Sequence, residues 1–253
     1  SCSTLGMNGN FLTRLGNIFH AVLCQRLFVL CDDGTAHLYF YDKNSTELTI
    51  NGAPGYDTII HGSTSENWSV EKLIINEGVT KLDANAFYNW YNLKEVTLPS
   101  TLTEIGAYAF YSCDNLVSIT IPEGVTTIAE QAFRDCDNLT EITLPSSLTE
   151  IGTHAFYNCS SLESITIPEG VTTIPAYAFY GCANLVSIDL PDTLENIGDC
   201  AFAGCSNLAS LTIPITKFVY TGSYTAEYQF KYIFSSIPES LKTVIINGET
   251  IAP

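Results

Sequence analysis

Residues 116–138 read LVSITIPEGVTTIAEQAFRDCDN, and the chain writes that phrase again and again, with small changes, from Leu93 to Leu208. Leu116, Ile119 and Ile121 lead into Pro122, followed by Val125, Ile128, Ala132-Phe133 and Cys136, and the next copy opens at Leu139. The period is 23 residues: Cys113, Cys136, Cys159, Cys182 and Cys205 keep it, as do Phe110, Phe133, Phe156, Phe179 and Phe202. Prolines keep the same step from Pro99 to Pro214. A fixed period of this length specifies a solenoid, because no copy can bury its own apolar side and each must stack on its neighbours.

Within a copy, Leu-x-x-Ile-x-Ile alternates as a half-buried strand does, and the proline ends it by removing a ladder donor. Stacked in parallel about 4.8 Å apart, such strands form a sheet on the concave face, and five steps span roughly 24 Å. The Ala-Phe-x-x-Cys half is predicted as a short helical or 3-10 turn on the convex face, with Phe and Cys facing in. A second period of 46 runs through the first. Val79, Val125 and Val171 follow Glu-Gly, whereas Leu102, Leu148 and Leu194 follow Ser-Thr, Ser-Ser or Asp-Thr. It reads as duplication of repeats in pairs, a matter of history and not of chemistry.

The flanks divide the chain into three parts. Residues 1–69 read as an N-terminal cap, with a helix from Phe11 to about Cys24 capped by Asn10, then a meander of strands at Leu27–Cys31, His37–Tyr41 and Glu47–Ile50. Residues 70–214 are the array, its first copy carrying Asn76 in the proline slot and Trp90 in the cysteine slot. Residues 215–253 break the pattern: Leu208 to Leu241 is 33 residues, ten more than the period, and the insertion carries Phe218, Tyr220, Tyr224, Tyr228, Phe230, Tyr232 and Phe234. Phe218, Phe230 and Phe234 are expected to close the end of the core, leaving Tyr220, Tyr224 and Tyr228 as a contact surface. Leu241–Ile246 is a last strand.

Ten Lys plus Arg against 27 Asp plus Glu give a net charge of −17, which argues against nucleic acid and anionic membrane surfaces as partners. No stretch is apolar and long enough to span a bilayer. The only methionine is Met7, so the lack of a recognisable leader says nothing about export. Of nine cysteines, five occupy one repeat position and read as buried thiols. Cys2, Cys24, Cys31 and Cys200 remain, and Cys24–Cys31 is the pairing to check.

The phrase Leu-x-x-Ile-x-Ile-Pro-x-x-Val-x-x-Ile-x-x-x-Ala-Phe-x-x-Cys, fullest at Leu116–Cys136 and traceable over roughly Glu47 to Ile251, closely resembles the BspA-like leucine-rich repeats of bacterial surface proteins. The resemblance implies a leucine-rich-repeat solenoid in a secreted or surface-attached protein of host-associated bacteria or anaerobic protists. Such proteins bind matrix proteins or other cells and have no common catalytic residues.

Nothing in the chain argues for an enzyme. His20, His37, His61 and His154 are scattered, and no Gly-x-Ser-x-Gly, His-Glu-x-x-His or glycine-rich phosphate loop is present. His154 sits in a column with Tyr108, Gln131, Tyr177 and Cys200, an exposed position and not a general base. The cysteine row cannot converge on zinc, and Glu77, Glu123 and Glu169, roughly 10 Å apart, cannot share calcium. Neither metal nor cofactor is expected; the glutamates read as a solvated edge. Candidate binding residues lie on the concave sheet: Glu95, Ser118, Glu141 and Ser164 in one row, and Thr97, Thr120, Thr143 and Thr166, interrupted by Asp189, in the other. The threonines are expected to form a hydroxyl ladder, and the face as a whole suits a basic or extended partner. A rival surface is the column Tyr88, Tyr111, Tyr157 and Tyr180, with Arg134 between its halves, unless each ring lies along the next repeat. Sequons at Asn44, Asn67, Asn138 and Asn158 matter only in a eukaryotic secretory pathway. The resulting expectation is an adhesin-like binding module for a protein or cell-surface ligand. The alternative is a subunit that self-associates end to end into an extracellular filament or layer, and a more distant one is a glycan-binding accessory domain.

Overall fold

A computed structural model describes residues 26–30, 35–40, 46–52, 57–60, 69–213, 233–236, 238–246 and 249–251. Over residues 70–207 the chain winds as a parallel β-solenoid whose every turn contributes two strands and one stacked loop. The front sheet takes the Leu-x-x-Ile-x-Ile segments: β3 (Glu47–Ile50), β5 (Lys72–Ile75), β7 (Glu95–Thr97), β9 (Ser118–Thr120) and β11 (Glu141–Thr143). Their successors on the same face are β13 (Ser164–Thr166), β15 (Ser187–Asp189), β17 (Ser210–Ile213) and β18 (Thr243–Ile246).

A side sheet, absent from the expected fold, runs beside it. It begins with the antiparallel pair β1 (Arg26–Leu30) and β2 (Thr35–Phe40), and continues in parallel through β4 (Asp57–Ile60), β6 (Val79–Leu82), β8 (Glu104–Ile105), β10 (Thr127–Ile128) and β12 (Glu150–Ile151). β14 (Thr173–Ile174) and β16 (Asn196–Ile197) follow as a separate pair. Two-residue strands lie below what alternation in a sequence can reveal. Of the N-terminal strands, β1 and β2 pair antiparallel, while β2 runs parallel to β4 and β3 parallel to β5, so both ladders cross residues 69 and 70. The helix expected over Phe11–Cys24, the Cys24–Cys31 pairing and residues Phe218, Tyr220, Tyr224, Tyr228, Phe230 and Tyr232 lie outside the described residues.

The third side of each coil is not helical. Ala-Phe-x-x-Cys forms successive reverse turns, shown by N–H(i) to O(i−3) bonds such as Ala109 to Gly106, Tyr111 to Tyr108 and Cys113 to Phe110. Two residues per copy hold left-handed backbone, Tyr108 (φ 59) and Ser112 (φ 51) in one, Gln131 (φ 56) and Asp135 (φ 58) in the next. A right-handed helix cannot contain them. The turns are tied repeat to repeat by their own ladder: Tyr108, Phe110 and Ser112 N–H groups donate to the carbonyls of Glu130, Ala132 and Arg134.

The core lies between these three sides. Phe87, Phe110, Phe133, Phe156, Phe179 and Phe202 are fully buried, with ring centroids 5.2 to 5.7 Å apart from one to the next. Each cysteine of the buried column donates its S–H to the phenylalanine carbonyl of the preceding repeat, as from Cys159 Sγ to Phe133 O at 3.1 Å. Burial pushes the thiols of Cys113, Cys136, Cys159 and Cys182 well above the ordinary range, and that of Cys205 to about 12. They are free thiols, and the row is structural. At the C-terminal end Phe234 is buried and continues the ring column 6.0 Å from Phe202, while the Phe202 N–H donates to Ile233 O. β19 (Glu249–Ile251) then turns back antiparallel on β18.

Candidate functional site

The front sheet presents two outward rows because alternate residues of each strand point away from the core. The register aligns them: Ser118 with Glu141, Thr120 with Thr143, Ser164 with Ser187 and Thr166 with Asp189. Glu95, Thr97, Ser118, Thr120, Glu141, Thr143, Ser164, Thr166 and Asp189 are all exposed, while Ile119, Ile142, Ile165 and Ile188 between them are buried. The structure thus gathers all nine proposed residues on one surface. Beside them run exposed Val117 and Val186, 47% and 50% accessible, and Lys94, whose Nζ lies 3.0 Å from Glu71.

The expected hydroxyl ladder does not form. In this row Thr166 Oγ1 donates to Asp189 Oδ2 at 3.2 Å, and Thr97, Thr120 and Thr143 make no hydroxyl-to-hydroxyl bond. Equivalent Oγ atoms on strands about 4.8 Å apart are out of hydrogen-bond reach, and only a longer acceptor such as Asp189 closes the gap. Hydroxyls support the stack elsewhere. Thr103, Thr149 and Thr140 donate to the carbonyls of Thr80, Thr126 and Val117, each one repeat back.

On the turn side the tyrosines stack along the axis. Tyr88 and Tyr111 lie 4.8 Å apart at 13°, and Tyr157 and Tyr180 lie 4.7 Å apart at 7°. The Arg134 guanidinium fills the step between, 5.7 Å from the Tyr111 centroid and 4.5 Å from that of Tyr157. It also donates from Nε to Asp135 and from Nη1 to Gln131 Oε1. Ring faces are therefore spent on each other and on Arg134; Tyr88 is 37% accessible, and Tyr111, Tyr157 and Tyr180 are half-buried. His154 is also not the exposed residue expected. It is half-buried, stacks on Tyr177 at 4.8 Å, and has Nδ1 buried without a hydrogen-bond partner. Burial, and then the charge of Arg134, lower its pKa.

The recurring glutamates do more than line a solvated edge. Glu77 accepts bonds from Ser100 N–H and Oγ and from Thr101 N–H, and Glu123 from Ser146 N–H and Oγ. Those amide donors, chiefly that of the serine, hold both carboxyls below the usual range. At Glu169 the grip is chiefly through the main chain: Thr193 Oγ1 donates to the Glu169 carbonyl, with the carboxylate Oε2 3.3 Å away. Each Glu-Gly copy thus grips the Ser-Thr, Ser-Ser or Asp-Thr copy that follows, so the period of 46 has a chemical basis after all.

Among the described residues no group of three or more His, Cys, Asp and Glu could hold a metal ion, and no helix is long and apolar enough to cross a membrane. A family model, the BspA type leucine rich repeat region, matches residues 57–180 and 149–247 in six copies. The chain is similar to a leucine-rich repeat protein of T. pallidum, with 27% identity, 72% of this chain and 87% of that one covered, and a TM-score of 0.68. A leucine-rich repeat protein from Bacteroides ovatus (21% identity, 79% and 66% covered, TM-score 0.43) overlays more loosely. So does a leucine rich cell surface protein from Faecalibacterium prausnitzii (24%, 87% and 83%, 0.39). No curated protein matches the chain.

Proposed function

Because the chain belongs to the BspA-type leucine-rich repeat family, whose repeats build interaction scaffolds, we propose that it is an exported or surface-attached binding module that takes a basic protein segment on its front sheet. One observation carries this reading. The front sheet's outward rows are exposed across six strands from β7 to β17, and from Glu95 onward their side chains are hydroxyls and carboxylates only. An exposed face of hydroxyls and carboxylates suits an extended cationic partner more than a small molecule. The turn side is the weaker candidate for a ligand, glycans included, since ring faces that would stack on a sugar are already stacked on one another. β19 lies antiparallel over the edge of β18, which favours a binding module over a subunit that extends its ladder into the next copy.

A lysine-rich peptide passed over the immobilised chain tests the proposal. Binding is expected, with an association rate that falls as salt rises, because complementary charge acts chiefly on encounter. Salt-insensitive binding, or none, overturns it.

A further inference from the structure

We propose that the array is built from two-repeat units, residues 70–115, 116–161 and 162–207, and that the junction between residues 161 and 162 is a hinge at which both sheets part while the turn column keeps the units joined.

One backbone bond recurs at every step of the front side, from the N–H just ahead of each strand to the carbonyl one period earlier. Inside units it measures 2.7 Å for Lys94 to Glu71, 2.9 Å for Thr140 to Val117 and 2.9 Å for Val186 to Glu163. Across junctions it lengthens to 3.3 Å for Val117 to Lys94, 3.3 Å for Glu163 to Thr140 and 3.2 Å for Ala209 to Val186. The side sheet alternates in phase. Thr103 to Thr80 and Thr149 to Thr126 are 2.9 Å and Glu195 to Thr172 is 2.7 Å inside units, against 3.4 Å for Thr126 to Thr103 across the first junction. Strand pairing follows. β7, β11 and β15 each pair with the preceding strand of their own unit over three residues, whereas β9 meets β7 only at Glu95 and Ser118. β13 does not pair with β11, nor β14 with β12. The alternation begins at β7, since the earlier step from β3 to β5 is paired over four residues.

Three features of the sequence explain the phase. The Glu77, Glu123 and Glu169 clamps all act inside units. Gly106, Gly152 and Gly198 do too: a Cβ there would fall 2.7, 2.4 and 2.4 Å from backbone of the preceding repeat, so only glycine permits that approach. Their amides donate to Leu82, Ile128 and Ile174 at 2.8, 2.8 and 2.7 Å. At the first junction the same slot holds Ala129, with a 3.1 Å bond to Ile105, and at the second it holds Pro175, which has no N–H to give.

The turn side keeps its contacts at this junction, apart from His154 N–H to Ala176 at 3.3 Å against 3.0 Å for Gln131 to Thr153 and Tyr177 to Asp199 inside units, which makes the junction a pivot and not merely a weak step. Phe156 and Phe179 are 5.2 Å apart across it, while Phe133–Phe156 and Phe179–Phe202 inside the flanking units are 5.7 Å. The closer spacing is local to this junction, since Phe87–Phe110 inside the first unit is also 5.2 Å and Phe202–Phe234 beyond the last unit is 6.0 Å. Phe156 and Asn158 N–H groups still bridge the junction to Ala178 and Tyr180, at 2.9 and 2.7 Å. Opening at 161/162 would divide the front face between β11 and β13, letting its two halves meet one partner at different angles.

Residue-resolved hydrogen exchange on the full chain tests this. Amides of 163–166 and 172 are expected to exchange severalfold faster than their counterparts at 140–143 and 149, or at 186–189 and 195, because local opening exposes the least stable step first. Equal protection at all three sets, or least protection inside a unit, overturns the proposal. In Glu123→Gln, exchange should rise at 140–143 and 149 toward the junction level and stay unchanged at 163–166. A rise confined to 163–166 would overturn the assignment of the clamp to the unit.

Discussion

On the turn side, one residue type fills the phenylalanine slot in six consecutive copies, while on the front sheet the outward rows pass through Glu, Ser, Thr and Asp within the same length of chain. The two surfaces share a period and a backbone spacing, so the difference lies in what each side chain touches. A buried ring meets the ring before it and the ring after it, and a change at one level is felt at two others. An outward residue of the front sheet meets water. Constancy in this molecule marks the contacts that hold the coil; variation marks the surface it is free to use.

The sharpest way to break that contrast is at the middle of the ring column. Phe156→Ala removes a fully buried ring stacked on both sides, and should cost about 3–5 kcal/mol in urea denaturation. A cost under about 1 kcal/mol, in the range of surface changes, would mean the repeats do not depend on their stack. Next in size is the thiol row. Cys159→Ala takes the S–H donor from Phe133 O and should cost about 1–3 kcal/mol. Cys159→Ser keeps a donor and should lose less, so the reverse order would show that the hydrogen bond matters little. Reducing agent should leave the melting temperature unchanged if this column alone sets the thiol contribution to stability.

Much of this architecture could be read from the residues alone, and the failures are instructive. The period, the front strands and the buried Phe and Cys columns were legible because single positions recur without a slip. The turn was misread as helical because apolar spacing was weighed and backbone handedness was not. The signal was available: Asn89, Ser112, Asp135, Asn158, Gly181 and Gly204 form one column, and all have φ between 51° and 78°. Small polar residues and glycine tolerate that region best. The other left-handed column, Asn85, Tyr108, Gln131, His154, Tyr177 and Cys200, carries no such mark, and nothing in its composition foretells it. The carboxylate clamps were missed for a different reason. Glu77 and Ser100 are 23 residues apart, and a period of 46 looks like descent until the register places donor beside acceptor.

A smaller effect separates two kinds of surface carboxylate by pH. Asp137 has its pKa raised, first by partial burial and then by the charge of Asp135, so it favours the folded state at low pH and withdraws that support as pH rises through its folded pKa. Asp137→Asn should therefore raise the melting temperature at neutral pH and have no effect well below the ordinary carboxylate range near about 3.9. Glu123 runs the other way. The Ser146 N–H lowers its pKa, so its contribution is present above the unfolded value and fades as pH falls through the folded one. Glu123→Gln should lower the melting temperature at neutral pH, with the difference vanishing in acid. The same sign for both variants in thermal melts at pH 7 would contradict these placements.

The smallest effect on stability is expected where the largest effect on binding is proposed. Glu95 and Glu141 stand in one outward row, two strand steps apart, with Ser118 between them, and each is exposed. Replacing both by lysine changes the row's charge by four units without touching a buried contact, and should shift unfolding by no more than about 0.5 kcal/mol. Glu95 lies beside Lys72 on β5, so any residual cost should appear at that site and diminish with salt. Against a lysine-rich peptide, by contrast, the association rate of the double variant should collapse at low salt. Ser164→Lys with Ser187→Lys, in the same row but beyond the hinge, should weaken binding less, because no carboxylate is lost there. Equal losses from the two pairs, despite charge changes of about four and two units, would show that neither net charge nor the Glu95–Glu141 spacing decides binding. No loss from either would move the contact off the front sheet and remove the reason for its variation.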